Sequence, residues 1–252
     1  LERSESLPRD WACEGTTGYE FLTLATGLLI EPEGQRLIDA FYRRISGDAR
    51  QFSELAREKK LLVMERLFGG ELKALALSFG RLTGIGYATA RRAIAEVTAS
   101  MDVYRTYTCS PDVSATDRSR VVAAAADALQ RTEDAGLENA IERMRGVALL
   151  EHEGDADACL DWVVRWQQFT GPVMAKGFED TALYCHNALL AVNDVGSDPV
   201  RPWLTSRELH EALAARSRAF PRSLNATATH DTKRGEDTRA RIAVLSEIPE
   251  RW

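Results

Sequence analysis

The 252-residue sequence contains no run of about 18 consecutive apolar residues, so nothing in it reads as a membrane-spanning helix. It also lacks a basic excess. With 32 Lys and Arg against 38 Asp and Glu, the net charge is −6. Phosphate binding rewards a basic stripe, so no nucleic-acid partner is expected, and no membrane partner either. Histidine and cysteine are scarce, four of each. Cys13, Cys109, Cys159 and Cys185 are far apart and form no C-x-x-C, and the histidines form no H-E-x-x-H. That spacing excludes a zinc site, and the length makes a disulfide framework unnecessary. No metal and no cofactor is expected, and the cysteines read as reduced packing residues of a cytoplasmic protein. The start shows no secretory signal, but Leu1 is not an initiator residue, so the sequence is expected to begin inside a longer one. There is no internal repeat, low-complexity tract or flexible linker.

What remains is an ordinary globular composition, 44% hydrophobic and 28% charged. The length would suit one (β/α)8 barrel, yet long helical stretches dominate and strand-like runs are few. From Gly34 to about Ala99, Phe52, Leu55, Leu62, Val63 and Leu67 recur at helical spacing, and glycines punctuate several antiparallel helices. Further helices are expected over Ser114–Arg131, Leu137–Leu150 and Asp155–Phe169, the last with Trp162, Val163, Trp166 and Phe169 on a buried face. Met174 joins those tryptophans in the core. Thr205-Ser-Arg-Glu208 has the form of a capping box for a helix reaching about Ala219.

Two stretches read as strands. Residues 99–108 alternate, with Val103, Tyr104, Thr106 and Tyr107, and place Arg105 where it needs a carboxylate or the mouth of a barrel. Asn225-Ala-Thr-Ala-Thr229 is the second, and it leads directly into His230-Asp231 and then Lys233, Arg234, Glu236, Asp237, Arg239 and Arg241. A strand ending in His-Asp before a charged helix is how a (β/α) barrel displays catalytic groups. The same letters also fit a strand followed by a solvated helix, with His230 a satisfied turn residue.

Elsewhere, Gly15 and Gly18 mark a tight loop beside Trp11, Tyr19 and Phe21, aromatics that suit either sugar stacking or plain packing. Residues 170–184 set Gly171, Pro172 and Gly177 before a helix expected to open at Glu179-Asp180-Thr181. Capping explains those acids but not Lys176 beside them. Val192–Pro199 reads as a loop.

Together, Gly15-Thr-Thr-Gly-Tyr19, Val103-Tyr-Arg-Thr-Tyr107, Thr170-Gly-Pro-Val-Met-Ala-Lys-Gly-Phe-Glu-Asp-Thr-Ala-Leu-Tyr184 and Ala226-Thr-Ala-Thr-His-Asp-Thr-Lys-Arg234, extended by Glu236–Pro249, resemble the maltooligosyltrehalose synthase family of the α-amylase clan. The blocks occur in the family's order from end to end of the chain. The resemblance implies an α/β class, part of an amylase-type (β/α)8 barrel, made predominantly helical here by a large helical insertion. It implies a barrel rim loop over 1–30, a helical insertion over 31–98, and later barrel strands and helices with a further helical insertion over 99–252.

The implied activity belongs to a (1→4)-α-D-glucan 1-α-D-glucosylmutase, an intramolecular transglucosylase of trehalose biosynthesis. It converts the reducing-end α-1,4 bond of a maltooligosaccharide into an α,α-1,1 bond. Retaining chemistry of this kind uses a nucleophile and an acid about 5–5.5 Å apart. The clan adds a third carboxylate at a strand-end His-Asp pair, which Asp231 and His230 match. The resemblance makes Asp231 catalytic and His230, Lys176, Glu179, Asp180, Tyr19, Lys233 and Arg234 substrate-binding.

The nucleophile and the acid/base group are expected upstream of Leu1, since the match places neither Glu2 nor Glu5 at the acid/base position; the isolated chain is then inactive. A trehalose-releasing hydrolase is the implied companion of the parent enzyme. Cys185-His186 departs from the Arg-Tyr pair usual after Tyr184. An amylase-like hydrolase and a non-catalytic helical glucan-binding module are the competing readings.

Overall fold

The computed structural model describes Leu7 and residues 11–252, and among them it is helical with no strand. Glu2, Glu5 and Pro8 lie outside the described residues. The chain divides into two compact units, one formed by residues 53–182 and the other by the flanking segments up to Phe52 and from Leu183 onward.

The unit of residues 53–182 holds α3 (Phe52–Arg66, less its first residue), α4 (Gly69–Thr83), α5 (Tyr87–Ala99), α6 (Ala115–Leu129), α7 (Ala135–Ala148) and α8 (Ala156–Val173). Helix starts are fixed by side-chain acceptors that satisfy otherwise orphaned N–H groups. Ser114 accepts from Asp117 N, Asp134 from Gly136 and Leu137 N, and Asp155 from Asp157 and Ala158 N. Helix α5 packs on α4, α6, α7 and α8. Its buried face is Ala90, Ala93, Ile94 and Val97, and the alanines let four neighbours approach closely. The expected tryptophan face is in the core: Trp162 stacks on Trp166 at 6.0 Å, and Phe79 lies 5.4 Å from Trp162. Each indole N–H has an acceptor, Leu75 O at 3.1 Å and Thr98 Oγ1 at 2.9 Å, as buried polar groups require. Of the apolar residues read along α3, Phe52, Leu55 and Val63 are buried. Leu62 and Leu67 face solvent, and Met64 takes an inward position instead.

Residues 99–108 are not a strand. Their backbone is satisfied by side chains rather than by a neighbouring strand. Tyr107 N donates to Asp117 Oδ2 at 3.0 Å, Thr108 N to Gln167 Oε1 at 2.8 Å, and Gln167 Nε2 to Thr108 O at 2.8 Å. Arg105 meets the ring of Tyr107 at 4.9 Å and the Thr106 carbonyl, so of its two expected settings the carboxylate is replaced by an aromatic face.

A second correction concerns residues 170–184. No helix opens at Glu179. Helix α8 runs through Gly171 and Pro172, turns into a π-helix over Met174–Ala182, and closes with the short α9 (Leu183–Cys185). Pro172 cannot donate to the carbonyl four residues back, and a widened register is one way a helix absorbs that loss. Thr181 Oγ1 donates to the Lys176 carbonyl at 2.7 Å, an i to i−5 link that suits the wide turn.

The other unit contains α1 (Tyr19–Leu28), α2 (Pro32–Ser46), α9, a 3-10 turn at Leu190–Val192, α10 (Ser206–Ala219), α11 (Glu236–Ala243) and a 3-10 turn at Val244–Glu247. A small core of Ile30, Ile38, Leu189, Ala191, Val192 and Ala243 joins α2, α11, the chain just past the end of α1 and the turn at Leu190–Val192. The Thr205–Glu208 capping box forms as read. Asn225–Thr229 is not a strand either: it bends at Thr227, and its polar groups bond to side chains, Thr229 N to Thr232 Oγ1 and Thr227 O from Arg239, while the preceding Leu224 N reaches Thr16 O. The cysteines also correct the sequence reading. Only Cys159 is buried, while Cys13, Cys109 and Cys185 are exposed free thiols and do not pack.

Gly177 presses the π-helix on α3, where an added Cβ would lie 2.7 Å from Lys60 Cα. Gly177→Ala should therefore lower stability by about 1–3 kcal/mol through overpacking. Denaturant unfolding of the two proteins checks it, and an unchanged midpoint would show that the backbone yields freely there.

Candidate active site

His230 and Asp231 are the two central residues of a turn. Thr232 N returns to Thr229 O at 3.4 Å, Thr232 Oγ1 donates to Thr229 O at 2.9 Å, and Asp231 N donates to Thr229 Oγ1 at 3.2 Å. Both corner residues are exposed, and neither side chain makes a hydrogen bond or ion pair with another described residue. The turn spends its small hydroxyls on its own backbone and leaves its imidazole and carboxylate for something else. Tyr19 joins the group: Thr229 Oγ1 donates to its hydroxyl at 3.2 Å.

The position of Tyr19 depends on Gly18. With φ at 100° and an added Cβ only 2.3 Å from Leu224 O, that residue admits no side chain. Gly15 is equally close to Ser223, so the two glycines let the loop lie on residues 223–226. Of the aromatics in this loop, Trp11 is exposed, while the Arg216 guanidinium sits 5.9 Å over the ring of Phe21.

Lys233 and Arg234 follow the turn. Lys233 Nζ lies 5.3 Å over the ring of Tyr184, which is itself exposed, and its N–H donates to Asp194 Oδ1 at 3.1 Å. Arg234 Nη1 donates to Leu190 O at 3.4 Å. Tyr19, His230, Asp231, Lys233 and Arg234 therefore share one unit.

Lys176, Glu179 and Asp180 belong to the other unit. Lys176 Nζ pairs with Asp180 Oδ2 at 2.6 Å one helical turn away, both partly exposed, whereas Glu179 is buried. Among the described residues no three His, Cys, Asp or Glu side chains gather as a metal site.

Two residues beneath the turn were not singled out as site residues from sequence. Asp194 and Arg239 form an ion pair at 3.3 Å with side-chain exposures of 2% and 4%. Asp194 Oδ1 also accepts from Val195 N at 2.8 Å, and Arg239 Nη1 donates to Arg234 O at 2.6 Å while Nη2 reaches Thr227 O. The available signals were an acid two residues after the apolar run Leu189–Val192, and Arg239 one helical turn before the buried Ala243.

At the Cys185-His186 departure, His186 wedges between the rings of Tyr42 (5.4 Å) and Phe52 (5.2 Å), and burial lowers its pKa below the ordinary range. The His186 carbonyl accepts from Asn193.

A cavity of about 670 Å3 lies between α1, α10 and the segment reaching Leu204, with Glu20, Trp203, Arg216 and Phe220 in its wall. His230 and Asp231 are not among its lining residues. Burial raises the Glu20 pKa. The hydrogen bonds from Thr16, its own backbone and Arg216 outweigh that, and the carboxyl ends below its ordinary value.

No protein-family model matches the chain. A provisionally named maltooligosyl trehalose synthase of Mycobacterium tuberculosis is 30% identical over all 252 residues. The chain spans 31% of that relative's length. The solved maltooligosyltrehalose synthase of Arthrobacter ramosus superposes with a TM-score of 0.86 at 32% identity, covering 100% of this chain and 31% of that one. A structure titled DSM5389 glycosyltrehalose synthase gives 0.73 at 31% identity, covering 100% and 29%. Each comparison covers the whole of this chain, so the chain is homologous to about a third of a longer protein. By the names of those relatives, that longer protein is maltooligosyltrehalose synthase.

The Glu20–Arg216 contact yields a pH dependence. A carboxyl with a lowered folded pKa contributes stability above its unfolded value near 4.5, and that contribution is lost as pH falls through the folded value. Glu20→Gln should thus be less stable than the unsubstituted protein at pH 7, and the gap should close toward pH 3. Melting curves across that range would refute the assignment if the gap stayed constant.

Proposed function

We propose that this chain is the part of an intramolecular transglucosylase that supplies one of three catalytic carboxylates, Asp231. The activity is conversion of the reducing-end α-1,4 bond of a maltooligosaccharide into an α,α-1,1 bond. The observation that carries the reading is the end-to-end match with maltooligosyltrehalose synthases, at a TM-score of 0.86 for one of them. It is supported by an exposed carboxylate whose turn leaves it without a protein partner among the described residues. A helical glucan-binding module has less in its favour, because binding alone gives no reason to display an unpaired acid and imidazole together.

In this reading the nucleophile and the acid/base group come from outside the chain. Asp231, with His230 beside it, holds hydroxyls of the sugar at the reacting centre and favours the positive charge that develops on its ring. The released glucose must then stay and turn so that its anomeric hydroxyl attacks the glycosyl-enzyme. Holding it makes the second attack effectively unimolecular, an advantage of several kcal/mol over an arriving water. Tyr19, Lys233 and Arg234, in the same unit as Asp231, are proposed as sugar contacts. Lys176, Glu179 and Asp180 are proposed as further sugar contacts on the π-helix. A cytoplasmic setting and a downstream trehalose-releasing hydrolase complete the reading.

In the full-length protein, Asp231→Asn should cut turnover on the order of 10²–10³-fold with the fold intact. Retention of near-normal turnover would reduce Asp231 to a turn residue. The 252-residue chain alone, incubated with maltopentaose, should give no trehalose-capped product by chromatography; such a product would overturn the carboxylate assignment. Lys176→Ala in the full-length protein should raise free glucose relative to trehalose-capped product. A parallel fall of both would leave the Lys176–Asp180 pair as helix scaffold.

A further inference from the structure

We propose that the buried Asp194–Arg239 pair is the positioning device of the candidate active site: it fixes where the His230–Asp231 turn stands. The inference rests on the reading of Asp231 as a catalytic carboxylate.

The turn is bracketed on both sides by this one pair. Before it, Thr227 O accepts from Arg239 Nη2. After it, Lys233 N donates to Asp194 Oδ1 at 3.1 Å, and Arg234 O accepts from Arg239 Nη1 at 2.6 Å. Three backbone atoms flanking His230 and Asp231 thus end on two side chains that are bonded to each other at 3.3 Å. At side-chain exposures of 4% and 2%, little water competes for these bonds.

The turn's other restraints are either internal to it or made by more exposed side chains. They include the hydrogen bonds among Thr229, Asp231 and Thr232, a hydroxyl contact to Tyr19, the Thr227–Glu236 hydrogen bond, Arg234 on Leu190 O and Lys233 over the ring of Tyr184. Remove the fork and the turn can keep its internal shape yet shift as a body. A displacement near 1 Å at a reacting centre can cost on the order of 100-fold in rate.

Arginine is required by this geometry, because its planar fork reaches two carbonyls and a carboxylate at once. A lysine ammonium has the charge without the fork. Asp194 must accept from an amide with one oxygen and face Arg239 with the other, which asparagine does only in part.

The test is Arg239→Lys in the full-length protein, read as kcat and KM per folded molecule, alone and combined with Asp231→Asn. A positioning role predicts a fall in kcat of about 10–100-fold with KM within about twofold. It also predicts that the combined variant is scarcely slower than Asp231→Asn alone, since both act through one carboxylate. Unchanged kcat, a loss that only tracks the folded fraction, or penalties that multiply would each overturn the inference. If Arg239→Lys does not fold, Asp194→Asn takes its place with the same readings, since it keeps an acceptor for Lys233 N. The underlying functional reading fails separately, in the Asp231→Asn arm, if that variant alone keeps its turnover.

Discussion

A guanidinium and a carboxylate withdrawn from water organise the unit that carries the candidate site. Taking Asp194 and Arg239 out of solvent costs several kcal/mol per charge, and their attraction offsets that cost only when the remaining donors and acceptors are also used. Here both Asp194 oxygens are occupied, and Arg239 spends three N–H groups on two carbonyls and the carboxylate. Its Nε is the residual defect, buried with no partner. The bonds run to backbone atoms at 227, 233 and 234, on both sides of the His230–Asp231 turn, where no sheet supplies partners among the described residues. An ionic clamp holds the segment instead.

The unit of residues 53–182 solves a comparable problem with helix geometry. Pro172 lies in the path of α8, and the helix continues by widening to the π register across Met174–Ala182. That choice puts Gly177 against the backbone of Lys60 and leaves Lys176 and Asp180 paired on the outside while Glu179 turns inward. π-helical segments are uncommon and concentrate at functional sites, so a nine-residue example inside one of the matching blocks is a second reason to look for chemistry there.

Helices were legible wherever a periodic apolar face met a cap. Asp155 before the Trp162–Trp166 face and Thr205 before α10 are examples, because hydrogen bonds within the segment decide both. The strands at 99–108 and 225–229 were misread for the converse reason. β-branched and aromatic alternation describes an extended chain, and whether it pairs depends on partners distant in sequence. In this structure Gln167, Asp117 and Arg239 supply those partners as side chains. The π-helix was illegible because Gly-Pro inside a periodic segment ordinarily stops a helix, and only tertiary contact shows that it continued. Within the site, His230 and Asp231 stood out by adjacency. Asp194 did not, since the apolar run before it is only a faint local signal, and its burial depends on a turn 35–38 residues further on.

If Asp231 is catalytic, as proposed, the arrangement also accounts for how an exposed turn could hold it in place. A carboxylate that stabilises a developing cation does so best when its oxygens are open to the sugar rather than already bonded to a fixed protein cation. Asp231 fits that condition, since its side chain has no partner among the described residues and its corner position is exposed. Exposure alone would leave it mobile, and a mobile acid stabilises a transition state poorly, because reorganisation then accompanies each turnover. Burying the restraint while exposing the acid separates the two requirements. The charge that must not be neutralised sits on the corner, and the charges that may be neutralised sit beneath it, paired with each other. The pair and the free acid need different surroundings, and a turn only four residues long, anchored on both flanks, is short enough to span them.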